Sequence, residues 1–232
     1  MLIGTVVLSA TAVALGLKFW PLAIPLVAVL IWLFAFFRDP ERPIPVEEHL
    51  MVSPADGAVS DITNIDNDAL LGGPAIRVGI FLSVFNVHIN RSPCDARVRD
   101  TAYKKGKFVN AMRHAEASDD NESNTIILEE PTTGRPVAVV KQIVGLIARR
   151  IICTAKQGDL LKRGERIGMI KFGSRTELTI PLWLKPEILV KVNQPVRGGA
   201  DVIARLGNPI HSLEKRLDGS EFEPIVPRET PA

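Results

Sequence analysis

The sequence predicts a mostly β (α+β) protein, a single β-rich domain behind an N-terminal hydrophobic, helical membrane segment. Three observations predict it. Residues 2–37 hold one charged side chain, Lys18, within two apolar runs. A proline-stiffened link follows, Arg38-Asp39-Pro40-Glu41-Arg42-Pro43-Ile44-Pro45, too rich in proline for a helix. Beyond it, short runs of branched residues are separated by Gly, Pro, Asn and Asp, the punctuation of strands and turns. The 232 residues suit one domain with an appendage.

The first apolar run is Leu2 to Gly16 and the second Phe19 to Phe37. The second is close to the roughly 20 residues that a bilayer crossing needs. Pro21 and Pro25 cap or kink it. Two short helices in a hairpin and one helix lying in or across the membrane both fit. No Lys or Arg precedes the first run and no small-x-small cleavage site follows the second, so a cleaved signal peptide does not fit. Arg38 and Arg42 favour a cytoplasmic position for the rest of the chain, and Trp20 and Trp32 suit the interfaces. Residues 1–37 are therefore read as an anchor at the cytoplasmic face of the cell membrane, and 38–232 as the domain.

Within the domain, strands are expected at Ala58–Ile62, Ala75–Leu82, Val84–Ile89, Thr125–Leu128, Val137–Val144, Ile147–Thr154, Arg166–Phe172 and Leu178–Ile180. Turns at residues 157–159 and 162–165 bracket Leu160-Leu161. Pro195–Leu206 resembles a hairpin around Gly198-Gly199, Leu213–Leu217 suits a short helix, and the proline-bearing tail from Pro224 is expected to be loose.

Composition narrows the function. A net charge of +2 does not argue for a nucleic-acid binder. Arg97, Arg99, Lys104, Lys105, Lys107 and Arg113 form a basic cluster, with Arg149-Arg150 further on. It reads either as a solvated face or as a contact for anionic lipid headgroups. Cys94 and Cys153 lie far apart with no Cys-x-x-Cys spacing and read as reduced thiols. The four histidines make no pair of metal-site spacing, so no metal is expected.

Three places can carry chemistry. Gly173-Ser174 is a bond that breaks itself if the serine hydroxyl attacks the preceding carbonyl, and glycine leaves that approach open. Most Gly-Ser pairs are simply turns. Asp56-Gly57 is likewise a common turn pair, and a lone His88 in an apolar stretch is commonly a core residue. Together, however, Asp56, His88 and Ser174 supply an orienting acid, a base and a nucleophile.

Several segments in order resemble the phosphatidylserine decarboxylase proenzymes of the short bacterial and archaeal type. They are the apolar N-terminus, Phe37-Arg38-Asp39-Pro40-Glu41-Arg42, Ser53-Pro54-Ala55-Asp56-Gly57, Phe85-Asn86-Val87-His88-Ile89-Asn90-Arg91, Asn121-Glu122-Ser123-Asn124, Gly145 to Ile151, and Gly164 to Arg175. The resemblance implies self-cleavage between Gly173 and Ser174 into a 1–173 large chain and a 174–232 small chain that stay associated. Asp56 would orient His88, and His88 would take the proton from Ser174. Ser174 would end as a covalently bound pyruvoyl group, with neither metal nor pyridoxal phosphate. Its ketone would form a Schiff base with the phospholipid substrate and act as an electron sink, giving phosphatidylethanolamine.

Longer relatives carry a second histidine three residues before the one matching His88 and a Leu-Gly-Ser-Thr cleavage motif. This chain has Phe85 and Phe172-Gly173-Ser174-Arg175 there. The role of the extra histidine therefore does not carry over, and the proton donor for decarboxylation stays open. Arg149 and Arg150, adjacent and hence on opposite sides of a strand, offer one cation between them for a substrate carboxylate or phosphate, and Arg175 another for the headgroup. Ether-linked archaetidylserine is an alternative substrate. A serine hydrolase and a membrane-tethered, non-catalytic binding module are alternatives of other kinds; the hydrolase lacks a Gly-x-Ser-x-Gly elbow.

Overall fold

The computed structural model describes residues 2–16, 20–106, 120–145, 150–171 and 174–210. Gly173, Arg149, the expected helix at Leu213–Leu217 and the tail from Pro224 lie outside the described residues. The fold is mostly β, with two N-terminal helices.

Runs rich in Leu, Ala, Val and Ile form α1 (Leu2–Gly16) and α2 (Trp20–Phe36), with no charge in either to interrupt them. Pro21 falls in the first turn of α2, where its missing N–H costs nothing, while Pro25 lies inside the helix. The helices pack on each other yet leave Val6, Val13, Ile24, Ile31 and Phe34 exposed. Seventeen residues reach roughly 25 Å, short of a hydrocarbon core of ~30 Å. Among the described residues, no helix is long and apolar enough to cross a membrane.

The strands are β1 (Leu50–Val52), β2 (Gly57–Asp68), β3 (Gly73–Leu82), β4 (Ile89–Arg91), β5 (Ala96–Lys104), β6 (Ser123–Glu129) and β7 (Pro136–Val144). They continue as β8 (Ile151–Cys153), β9 (Leu160–Leu161), β10 (Arg166–Ile170), β11 (Ser174–Pro181), β12 (Pro186–Ile188), β13 (Pro195–Val196) and β14 (Val202–Leu206). An eight-stranded sheet has the order β13-β2-β3-β11-β7-β6-β5-β9, and two three-stranded sheets have the orders β1-β14-β12 and β4-β10-β8. All three contribute to one apolar core, with Val78, Ile80, Ile126, Val140 and Leu178 from the large sheet, Met51 and Ile203 from the first small one, and Ile167 from the second.

β11 lies in the middle. It pairs antiparallel with β3 from Ser174↔Leu82 to Pro181↔Ala75, and with β7 from Ser174↔Val144 to Thr179↔Val139. Every residue in it is buried. The register also explains two glycines. A Cβ at Gly57 would run into the carbonyl oxygen of Phe81, and one at Gly79 into the guanidinium of Arg175 and the carboxylate of Asp61.

Several expectations are corrected. Val84–Ile89 is not a strand. Asn86 folds the chain into a turn by accepting from the Ser83 amide (2.9 Å) and hydroxyl (2.7 Å), and β4 starts only at Ile89. Pro195–Leu206 is not a hairpin either, because β13 pairs with β2 while β14 lies between β1 and β12. β5, read in the sequence as part of a basic cluster, is a strand whose Arg97 pairs with Glu129 at 2.6 Å.

Candidate active site

Ser174 is the first residue of β11 and is fully buried. Its Oγ has no hydrogen-bond partner among the described residues. His88, also fully buried, lies just before β4. Its Nδ1 is 2.9 Å from the carbonyl oxygen of Asn86. A carbonyl only accepts, so Nδ1 carries the proton and Nε2 presents its lone pair. Nε2 too is buried without a partner among the described residues. Two orphaned polar atoms in a core are costly, and chemistry is one reason a fold keeps them.

Two ties bring their segments together. The Ile170 amide, four residues before Ser174, donates to the His88 carbonyl at 3.2 Å. Asn90, two residues after His88, donates to Thr176 Oγ1 at 3.0 Å, and Thr176 shares a face of β11 with Ser174. Behind this tie a buried amide chain continues. Gln142 donates to Asn90 (2.9 Å), and Asn124 donates to Gln142 (3.0 Å). Asn121 donates to the carbonyl of Val144, the residue opposite Ser174 in β7 (2.8 Å). Burial of the imidazole pushes the His88 pKa below its ordinary value. The Asn86 carbonyl works against that shift, the Arg38 charge adds to it, and the Asp56 charge opposes it.

Asp56 is buried in the loop before β2, but its hydrogen bonds go elsewhere than to His88. Arg42 grips it with both nitrogens, Nη1 at 2.5 Å and Nη2 at 2.8 Å, and the Gly198 amide donates to Oδ1 at 2.8 Å. Such a fork-to-fork pair is geometrically specific and outcompetes a single imidazole bond. Asp56 therefore bears on His88 through its charge, and the group hydrogen-bonded to Nδ1 is the Asn86 carbonyl.

Arg175 requires a correction. Adjacent residues on a strand face opposite sides, so Arg175 points away from Ser174. Its side chain is fully buried, paired with Asp61 (2.7 Å) and Glu177 (2.9 Å) and donating to Ser60, so it offers no cation to a headgroup. Arg150 is exposed, and its carbonyl accepts from the Lys171 amide at 3.3 Å. Arg149 and Gly173 lie outside the described residues.

The sequence reading missed the link's function. Arg91 donates to Asp39 (2.7 Å) and to the Gly164 carbonyl (3.0 Å), and Arg166 also pairs with Asp39. With Arg42 on Asp56, the alternating charges of Arg38-Asp39-Pro40-Glu41-Arg42 become a strap buckled onto the domain. Those alternating charges were the available signal. Among the described residues, no group of three or more His, Cys, Asp or Glu side chains is placed to hold a metal ion. Ser174 Oγ and His88 Nε2 are the buried nucleophile and the buried base that lack a hydrogen-bond partner among the described residues.

A family model described as phosphatidylserine decarboxylase matches residues 29–204, which runs from α2 to β14. The chain belongs to the phosphatidylserine decarboxylase family. A phosphatidylserine decarboxylase proenzyme of Rhodopirellula baltica is 45% identical over 205 residues, covering 88% of this chain and 84% of the relative. One from Carboxydothermus hydrogenoformans is 43% identical over 192 residues, covering 82% and 86%. One from Trichlorobacter lovleyi is 45% identical over 204 residues, covering 88% and 87%. Membership of the phosphatidylserine decarboxylase family makes the chain a carboxy-lyase, and its relatives are named as proenzymes.

Proposed function

We propose that this protein cleaves itself between Gly173 and Ser174 and then converts phosphatidylserine to phosphatidylethanolamine. The observation that carries the reading is a pair of buried, unpartnered atoms, Ser174 Oγ at the head of central strand β11 and His88 Nε2 on the segment hydrogen-bonded to the strand before it, in a chain of this family.

His88 accepts the Ser174 hydroxyl proton at Nε2, and Oγ attacks the Gly173 carbonyl carbon. The peptide bond becomes an ester as the Ser174 nitrogen takes up a proton. Loss of the Ser174 α-proton then expels the Gly173 carboxylate, leaving dehydroalanine at 174. Its imine tautomer takes up one water and releases ammonia, so the small chain begins with a pyruvoyl group. That group supplies an electron sink for the carbanion left when carbon dioxide departs. The chain's own residues do the rest. His88, whose burial favours the neutral form, can carry a proton to and from the reacting carbon. The exposed Arg150 is the cation offered to the anionic headgroup, with Arg149 beside it in sequence.

Residues 1–37 serve as the membrane anchor. Two charge-free apolar helices with exposed Val, Ile and Phe side chains suit contact with lipid, with the domain at the cytoplasmic face. The 1–173 and 174–232 chains stay together because β11 of the small chain is hydrogen-bonded between β3 and β7 of the large one.

Intact-mass measurement tests the reading. Wild-type protein should give two species split at 173/174, the smaller bearing a pyruvoyl mass, and should release carbon dioxide from phosphatidylserine vesicles. Ser174→Ala should remain one inert chain; the same two fragments from that variant would overturn the reading.

A further inference from the structure

We propose that Phe36, the last residue of α2, is a positioning residue for His88, so that the final turn of the anchor is also a wall of the reaction chamber. This rests on the reading of His88 as the base of self-cleavage.

The Phe36 ring lies on the imidazole of His88, with centroids 4.1 Å apart and planes tilted by 32°. Phe36 is 1% exposed, whereas Phe34 and Phe37 on the same turn are 71% and 45% exposed. An apolar helix whose role ended at the membrane would have no cause to sink one residue of its last turn into the domain. Phe36 is also braced, with Trp32 at 5.5 Å between ring centroids and Phe37 edge-on at 5.0 Å. Arg38 fastens this end of the helix in place. Its Nη1 donates to the Ala35 carbonyl at 2.6 Å, and its Nη2 to the Phe85 carbonyl at 2.8 Å. Phe85 precedes Asn86, whose carbonyl holds His88 Nδ1. One strap thus joins the helix end to the turn that orients the base.

The consequence for the imidazole is steric and chemical. The Asn86 carbonyl fixes the ring from its Nδ1 edge, and Phe36 covers a face. Together they leave Nε2 as the working edge. A ring flip would put the Cδ2–H edge against the Asn86 carbonyl, losing the Nδ1–H hydrogen bond and turning Nε2 away from its position. Without Phe36, water reaches the imidazole, competes with the serine hydroxyl for Nε2, and frees the ring to turn. The charges acting on His88 are Arg38 from the link and Asp56 from the loop before β2. Lys171 lies near the Phe37 ring at 5.6 Å. None of these changes when Phe36 is replaced.

The test uses the full chain made by cell-free synthesis in detergent micelles, with cleavage followed over time on gels from pH 5.5 to 8.5. Phe36→Ala should slow cleavage about tenfold or more, as small misplacements of reacting groups do. It should also move the acid limb of the pH–rate profile to higher pH, because a hydrated imidazole holds its proton more tightly. Phe36→Leu, which keeps an apolar cover, should restore most of the rate. A second measurement does not need cleavage. In the Ser174→Ala background, NMR titration of the His88 imidazole should move upward in Phe36→Ala and stay near the parent value in Phe36→Leu. A wild-type rate and limb in Phe36→Ala would overturn the proposal. So would a slower rate with an unmoved limb and an unmoved titration, which marks a purely structural role. If the parent chain itself does not cleave, the self-cleavage reading fails, while the His88 titration still decides whether Phe36 positions the base.

Discussion

At the scale of the residue, His88 makes a thermodynamic prediction. Its pKa is lowered in the folded protein by burial, so the unfolded chain binds a proton that the folded chain refuses. Its contribution is fully present above the unfolded value of about 6.5 and is lost as pH falls through the lower folded value. Melting curves of the Ser174→Ala protein should therefore show a Tm that declines below about pH 6.5. His88→Gln in that background should flatten the decline; an unchanged slope would assign it to other groups. Ser174 and His88 were legible as candidates because the sequence offers few nucleophiles and bases in apolar company. Arg175 was misread because the alternation of a strand was applied to Arg149 and Arg150 but not to the Ser174-Arg175 step. Phe36 and Asn86 were illegible, since a ring over an imidazole and a carbonyl on its nitrogen are tertiary facts without a local pattern.

At the scale of the element, the link is the part whose meaning changed most. Its prolines were legible as a break between helix and sheet, but its ion pairs join residues far apart in the chain, such as Arg42 to Asp56 and Asp39 to Arg91. Arg42→Ala should cost about 3–5 kcal/mol, because it strands a nearly buried carboxylate held otherwise by the Gly198 amide. Chemical denaturation of the uncleaved Ser174→Ala form measures this, and a loss under about 1 kcal/mol would show the pair to behave as a surface bridge. Strands of the large sheet were legible where branched residues alternate, as in β3 and β7. The expected strand through His88 failed because the Asn86 side chain supplies a turn of its own. The expected C-terminal hairpin failed because β13 and β14 find partners in β2 and β1, which no local rule reveals.

At the scale of the molecule, the mostly β body was legible in the sequence, whereas the order of the strands was not. The proposed cleavage at 173/174 would leave β11 to β14 on one chain and their partners β1, β2, β3 and β7 on the other. The two fragments should co-elute as one species at native pH and separate only in denaturant. Early separation on a sizing column would contradict the sheet order. The central seat of β11 also gives maturation a direction in time. Before the cut, returning that strand to the middle of the sheet is the closure of a loop within one chain, whose entropy cost grows only slowly with length. After the cut it becomes an encounter between two molecules, one of them a β strand that must slip between neighbours already able to pair with each other. On the proposed cleavage, the uncleaved chain would be the last form from which the fold can be recovered, and the two-chain form would persist by slow unfolding rather than by reversible equilibrium.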